Sequence, residues 1–359
     1  MTTTPHTTDV VIIGAGQSGL AAAGALGAAG VRPVVLEAAA EPHGSWPHYY
    51  DSLKAFSSNR FNAMPGLPFG GDPDDHPTRD EVAEYLRRYA AGLDAEIRTG
   101  VRVTEVGHDG GRFVVHTAGG DTLEAGAVVA ATGSFGNPYT PELPGAAAYR
   151  GIVRHVADYR NPAPYAGSRV VVVGGGNSAV QVACELAQVA TVTVASTEPL
   201  TLVPHRPGGR DVHHVLTVAV DPLPAPWVAL LFDGAPVLDI GGYAEAFAAG
   251  RPDRRDMFTT FTEDGVRWSD GTTEPVDAVI TATGYRPDLG YLRALGALDA
   301  TGAPLHSGGL STTHAGLAYL GLEFQRSFAS NTLRGVFADA AAIAPAVAAV
   351  ARGGHRLLG

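Results

Sequence analysis

One pattern occurs twice in this chain and limits the folds open to it. Residues 10–13, V-V-I-I, run directly into Gly14-Ala15-Gly16-Gln17-Ser18-Gly19, then an alanine-rich stretch at 20–29, then V-V-L at 34–36 ending on Glu37. Residues 170–173, V-V-V-V, run into Gly174-Gly175-Gly176-Asn177-Ser178-Ala179, a helical stretch at 178–188 and a strand at 191–195. Each copy reads strand, glycine turn, helix, strand: a βαβ unit of parallel-sheet type. A repeat of a whole βαβ unit predicts an α/β chain with two Rossmann-like, dinucleotide-binding domains and excludes a short-period solenoid.

The glycines have distinct physical jobs. The first allows the tight turn, the second lets the backbone approach a pyrophosphate, and the third allows the helix to pack closely on the strand. The helix N-terminus then offers amide donors to the anion. In the first copy Glu37, 23 positions after Gly14, stands where a carboxylate accepts from a ribose 2′-hydroxyl. That favours an adenine dinucleotide with an unphosphorylated ribose, FAD or NAD. In the second copy the same count from Gly174 lands on Thr197, between Ser196 and Glu198, with neither a clear acid nor an arginine. Use of both NADPH and NADH is expected, with Arg206 and Arg210 as candidate partners for a 2′-phosphate.

A second repeat follows the first. A-V-V-A-A-T-G at 127–133 and D-A-V-I-T-A-T-G-Y at 277–285 are both apolar strands ending in Ala-Thr-Gly, and each lies after its own fingerprint. Thr132, Gly133, Thr283 and Gly284 become candidate cofactor-side residues. Elsewhere, residues 38–79 read as irregular and 80–92 as a helix. Strands are expected at 112–117, near 257–261 and at 276–281. Residues 197–256 read as a loop-rich insert with a helix near 243–249, and 338–352 as a terminal helix. A net charge of −11 argues against nucleic acid or an anionic membrane as partner. The only cysteine, Cys184, rules out an internal disulfide or a dithiol centre. With no signal-like N-terminus and no apolar run long enough to span a bilayer, the expectation is a soluble cytoplasmic protein.

With both fingerprints in hand, residues 149–160, Y-R-G-I-V-R-H-V-A-D-Y-R, become informative. The chain resembles the flavin-containing monooxygenases, and within them the small bacterial members, over nearly its whole length. Their identifying motif is Phe-x-Gly-x-x-x-His-x-x-x-Tyr/Phe; here Tyr149 replaces the phenylalanine, while Gly151, His155 and Tyr159 fit. The related Baeyer–Villiger enzymes carry Trp-Pro at its end, where this chain has Tyr159-Arg160. His43-Gly44-Ser45-Trp46 is similar to the family's Gly-Gly-x-Trp beside the flavin, and residues 319–330 resemble the segment passing the flavin ring, with Gln325 as a ring contact.

The resemblance implies a discontinuous FAD domain, residues 1–150 plus 280–359, enclosing an NAD(P)H domain at 151–279. It implies a C4a-(hydro)peroxyflavin that oxygenates a soft nucleophile such as a thioether or amine, with Baeyer–Villiger chemistry on ketones also open. The partners would be a small-molecule substrate and dioxygen, with no nucleic acid and no membrane. Gly151 is expected to permit a turn and His155 to anchor the interdomain linker as a structural histidine. Larger members place an asparagine over the flavin; counting from Pro65-Gly66-Leu67-Pro68-Phe69, that position falls here on Phe56, and Asn59 reaches it only if the loop shifts by a turn. Two rival readings stay open: a reductase serving a protein partner, against which the motif at 149–159 argues, and an oxidase releasing hydrogen peroxide, which Phe56 keeps alive.

Other polar clusters read as bland. Adjacent His213 and His214 lack a third ligand at recognisable spacing, so no metal site is expected and the segment reads as a solvated loop. Asp72, Asp74, Asp75 and His76 read as a polar solvated loop, and Cys184 as a small packed hydrophobe. The apolar, proline-rich stretch 222–240 is a candidate homodimer interface.

Overall fold

The computed structural model describes residues 6–228, 230 and 236–353. Residues 229 and 231–235, inside the candidate interface at 222–240, lie outside the described residues, as do both chain ends.

The first sheet is built on β1 (His6–Ile13), which pairs in parallel with β2 (Val34–Leu36) on one side and with β6 (Thr122–Ala130) on the other. β3 (Glu96–Arg98) extends it beyond β2. Between them in the chain, β4 (Val103–Asp109) and β5 (Arg112–Thr117) form an antiparallel hairpin that joins β6.

A parallel sheet covered on both faces needs apolar residues at consecutive positions. The run 10–13 meets that need: Val10 and Ile12 pack with α1 (Gln17–Ala28), α2 (Arg79–Ala91) and the C-terminal helix Val336–Ala351, whereas Val11 and Ile13 face the cluster that contains Val106, Phe113 and Val115 of the hairpin.

The second sheet repeats the plan. Its strands are β7 (Ile152–His155), β8 (Arg169–Val173), β9 (Thr191–Ser196), β10 (Asp253–Asp256) and β11 (Ala278–Thr281), all parallel in the order β10-β9-β8-β11-β7. Val170 and Val172 pack on α3 (Asn177–Leu186); Val171 and Val173 face Phe258, Phe261 and Trp268 around a three-stranded antiparallel meander. β11 ends at Thr281, so the chain leaves the second sheet two residues after position 279. It returns to the first through β12 (His306–Ser307), β13 (Leu310–Ser311) and β14 (Leu317–Tyr319), the last pairing in parallel with β6.

Each sheet therefore has helix on one face and antiparallel strands on the other. In each, the first strand of the βαβ unit lies between its two parallel neighbours, so a crevice opens beyond the strands' carboxyl ends. Both glycine turns sit there. Among the described residues no helix is long and apolar enough to cross a membrane.

Candidate active site at two glycine turns

The two turns share a geometry. Gly14 has φ +101° and its N–H donates to Leu36 O at 2.8 Å; Gly174 has φ +136° and donates to Ala195 O at 2.9 Å. A Cβ on Gly14 would lie 2.6 Å from Ala131 O, and one on Gly174 would lie 2.4 Å from Ala282 O. Those two alanines open the two Ala-Thr-Gly segments, so each crossing segment is pressed against the first glycine of its own turn.

The helices that follow are prepared for an anion. Gly16 and Gly176 are the N-caps of α1 and α3, and neither helix has a side-chain cap or an acid in its first turn. Their first amides lack side-chain acceptors, which is what a pyrophosphate oxygen requires. By contrast α2 is closed by a full capping box between Thr78 and Glu81.

Around the first turn the chain closes in. Glu37 is buried; its carboxylate accepts from Ala15 N at 2.6 Å and Ala39 N at 2.8 Å, which fixes it at the end of β2. Gly44, at φ +60°, lies so near Gly16 that a Cβ would fall 2.7 Å from the Gly16 Cα. Trp46 Nε1 donates to Gln17 Oε1 at 3.0 Å. From the other side Gly321 crosses the start of α1, where a Cβ would meet Ser18 Oγ at 2.1 Å. Gln325 is buried close by; its Oε1 accepts from Leu322 N and its Nε2 has no partner. Phe324 beside it is the only non-glycine residue with positive φ among the described residues, at +51°.

Around the second turn the surroundings are open. A Cβ on Gly176 would meet nothing within 4 Å. Asn177 Oδ1 is buried without a partner. Ser196 is buried and its hydroxyl donates to Glu198 O at 2.8 Å, whereas Thr197 and Glu198 are exposed. Arg206 reaches Asp74, and Arg210 is exposed.

The two crossing segments pair with one another. Thr132 Oγ1 donates to Asp288 O at 2.6 Å and Asp288 N to Gly133 O at 2.9 Å; Thr283 Oγ1 donates to Tyr139 O at 2.5 Å and Tyr139 N to Gly284 O at 3.0 Å. His155 joins the same carbonyl. Its Nε2 lies 3.1 Å from Gly284 O, and its Nδ1 accepts from Ala157 N at 3.1 Å. A carbonyl at one nitrogen and an amide at the other require a neutral ring protonated on Nε2. Burial pushes its pKa down accordingly.

Tyr159 is buried and donates to Glu185 on α3 at 2.6 Å; burial, then Glu185, push its phenol well above the usual range. Gly151 sits at a bend just before β7, with a φ that is not positive. The glycine is required because Tyr149 lies over it, its hydroxyl 2.2 Å from where a Cβ would be, and donates to Val276 O.

One family model, that of the pyridine nucleotide-disulphide oxidoreductases, matches residues 11–205, more than half of the chain. Indole-3-pyruvate monooxygenase YUCCA1 of rice is 31% identical, over 78% of this chain and 77% of its own length. The solved structure of a flavin-containing monooxygenase from Stenotrophomonas maltophilia superposes with a TM-score of 0.86 at 32% identity, over 96% of this chain and 99% of that one. This chain belongs to the flavin-containing monooxygenase family.

As a member of that family it is an oxidoreductase with two Rossmann-like units, and both turns fit a dinucleotide. An uncharacterised CzcO-like oxidoreductase of Geobacillus kaustophilus, 29% identical over 93% of the chain and 97% of its own length, is similar as well. The bacillithiol disulfide reductase of Staphylococcus aureus, at 22% identity and TM-score 0.73, shares the fold.

The segment expected to face the flavin is tied to an unexpected partner. Phe56 stacks on His213, with ring centroids 6.2 Å apart and planes at 16°. Asn59 turns away and donates to Asp72 O at 2.8 Å. The expectation that His213 lies in a solvated loop is overturned: it is fully buried, and Asp211 beside it is buried too. Asp211 accepts from His213 Nδ1 and the His213 backbone N–H, both at 2.9 Å, and from Ser58 Oγ at 2.9 Å. Burial raises the Asp211 carboxyl, but these bonds outweigh it and hold the group down at about 2; burial lowers His213 to about 4. His76, also expected in a solvated loop, donates from Nδ1 to Ala55 O and packs edge to face on His205. Only the sequence spacing H-x5-D-x-H hints at this cluster, and its partners Ser58 and His76 come from over a hundred residues away.

Proposed function

We propose that this flavin-containing monooxygenase passes hydride from NADH or NADPH, held at residues 174–179, to FAD, held at residues 14–19, and oxygenates a small soft nucleophile such as a thioether or amine. When bound, FAD would supply hydride acceptance and dioxygen activation. The observation that carries the reading is the pairing of the two crossing segments through Gly133, Tyr139, Gly284 and Asp288, which joins the inner edges of both glycine turns. Such chemistry is carried mainly by the cofactor, while the protein binds, orients and excludes water.

In this reading Gly14, Gly16, Gly19 and the α1 amides hold the FAD pyrophosphate, and Glu37 takes the adenosine ribose. Gly174, Gly176, Asn177 and Ser178 hold the nicotinamide dinucleotide near Ser196 and Thr197. The first sheet is the FAD domain and the second the NAD(P)H domain. His155 and Tyr159 are positioning residues of the linker and take no part in proton transfer. Cytoplasmic residence belongs to the same reading, as does a homodimer, supported by exposed Val215, Val218, Trp227 and Leu230.

A second reading rests on Phe56. It brings no hydrogen-bond donor to the flavin side, and Asn59 is committed to Asp72. This favours release of hydrogen peroxide instead of oxygenated product, or transfer of electrons to a protein partner.

Rapid-mixing absorbance separates the readings. The protein is reduced anaerobically with NADPH or NADH and mixed with oxygenated buffer. An absorbing species distinct from reduced and oxidised flavin, whose decay quickens with added thioether, supports the monooxygenase. Direct reoxidation with stoichiometric peroxide sinks it. The rice relative, an indole-3-pyruvate monooxygenase, adds 2-oxo acids to the substrate panel, and activated ketones test Baeyer–Villiger chemistry.

A further inference from the structure

The strap formed by residues 205–228 follows the second fingerprint in sequence yet is tied to the loop around Ser58 and to the C-terminal segment 326–334. Arg334 and Asp221 hold it by a two-pronged ion pair at 2.8 and 3.0 Å, Ala225 N donates to Arg326 O, and Ser58 binds Asp211. Beneath it lies a polar centre with unmet demand. Nε2 of His76, of His205 and of His213 are all buried and none has a hydrogen-bond partner. His76 and His213 each commit Nδ1 to an oxygen, so their Nε2 atoms carry lone pairs. Nε2 of His205 lies 3.2 Å from Asp211 Oδ2 but out of line for a hydrogen bond.

Buried polar atoms are almost always satisfied, so several orphans in one place call for a missing partner. The donors are of metal-binding type. His205, Asp211 and His213 are all buried and each offers one ligand atom within 4.8 Å of the others. A tetrahedral zinc ion at about 2.0–2.2 Å from each ligand needs donors roughly 3.3 Å apart. Asp211 Oδ2 already stands 3.2 Å from His205 Nε2, and the His213 Nδ1–H bond to Asp211 Oδ1 fixes the ring so that its Nε2 is the free donor. His205 also lines an open cavity of about 310 Å³ bounded by Pro204, Arg206 and Asp239, which supplies an entry path.

We infer that His205, Asp211 and His213 bind a divalent transition metal of the zinc class, which staples the strap to the loop carrying Phe56 and Ser58. The imidazole and carboxylate set suits zinc and excludes calcium or magnesium as the preferred ion. A bound water would satisfy an orphan nitrogen without retaining zinc.

The full flavin-loaded chain, without a histidine tag, is stripped with a chelator and dialysed against low-micromolar zinc, and bound metal is counted by mass spectrometry. One zinc per chain is expected, with a rise in melting temperature. The bound equivalent is lost in Asp211→Asn and in His213→Phe, and kept in His314→Ala, which removes an outlying histidine. Cobalt(II) added to the wild type gives a test that no variant's folding can spoil: ligand-field bands beyond the flavin absorption are expected. Absence of both bound zinc and those bands in the wild type, or zinc binding that survives both variants, overturns the inference and leaves the cluster to water.

Discussion

The two glycine turns share one backbone plan and differ in what surrounds them. At the first, Gly44, Trp46 and Gly321 close on the turn, and Glu37 is fixed by two amides. At the second, no atom stands within 4 Å of a Cβ on Gly176, and Thr197, proposed for the ribose position, is exposed. The third glycine shows the same contrast. A Cβ on Gly19 would lie 1.8 Å from Gly14 O, whereas Ala179 already carries one and is fully buried. A closed site suits a cofactor that stays through every turnover; an open one suits a cofactor that must arrive and leave each time. In the proposed function this contrast would fit FAD retention at the first turn and nicotinamide exchange at the second.

The largest effect should separate the turns directly. Gly19→Ala forces a methyl into a backbone carbonyl that cannot yield, at a cost of about 3 kcal/mol or more. Loss of bound flavin absorbance and a lower melting temperature are expected. Gly176→Ala should stay within about 0.5 kcal/mol of wild-type stability, keep its flavin and weaken only the nicotinamide. Equal loss of flavin in both would break the comparison.

Next in size is Glu37→Gln. The amide turns a donor toward Ala15 N–H or Ala39 N–H and gives up charged hydrogen bonds worth roughly 1.5–3 kcal/mol. Flavin affinity measured by fluorescence should weaken by about tenfold or more. Thr197→Arg should act on the open site alone, lowering the NADPH dissociation constant by about tenfold through a charged pair with the 2′-phosphate, with NADH little changed. Unchanged NADPH affinity would remove Thr197 from the ribose position.

The smallest effect concerns the linker. Burial lowers the His155 pKa below the ordinary imidazole value, so the folded chain prefers the neutral ring. The stability it contributes is full above an unfolded pKa of about 6.5 and is lost as pH falls toward the folded value. Melting temperature should therefore drop below that pH more steeply in the wild type than in His155→Asn. Parallel curves would show that the ring is not held neutral by the Gly284 carbonyl.

Much of this was legible in the sequence because it is local. The runs 10–13 and 170–173 are fully apolar, as strands buried on both faces must be, and each glycine turn follows its strand without a gap. The helices expected at 80–92 and 243–249 appear as Arg79–Ala91 and Tyr243–Ala248. The hairpin at 103–117 was only half visible, since Val103–Asp109 alternates weakly and is mostly exposed. The bend at Gly151 was legible, but not the reason it must be glycine, the Tyr149 ring that lies over it.

The sequence by itself determined that two dinucleotide units exist, where each turn lies and which carries an acid, because these depend on residues adjacent in the chain. Only the tertiary structure decided that one turn is closed and the other open, that the crossing segments pair, and that His213 is buried on Asp211 beneath Phe56. Those outcomes arise from segments more than a hundred residues apart, whose burial and hydrogen bonding are set by packing that no local pattern encodes.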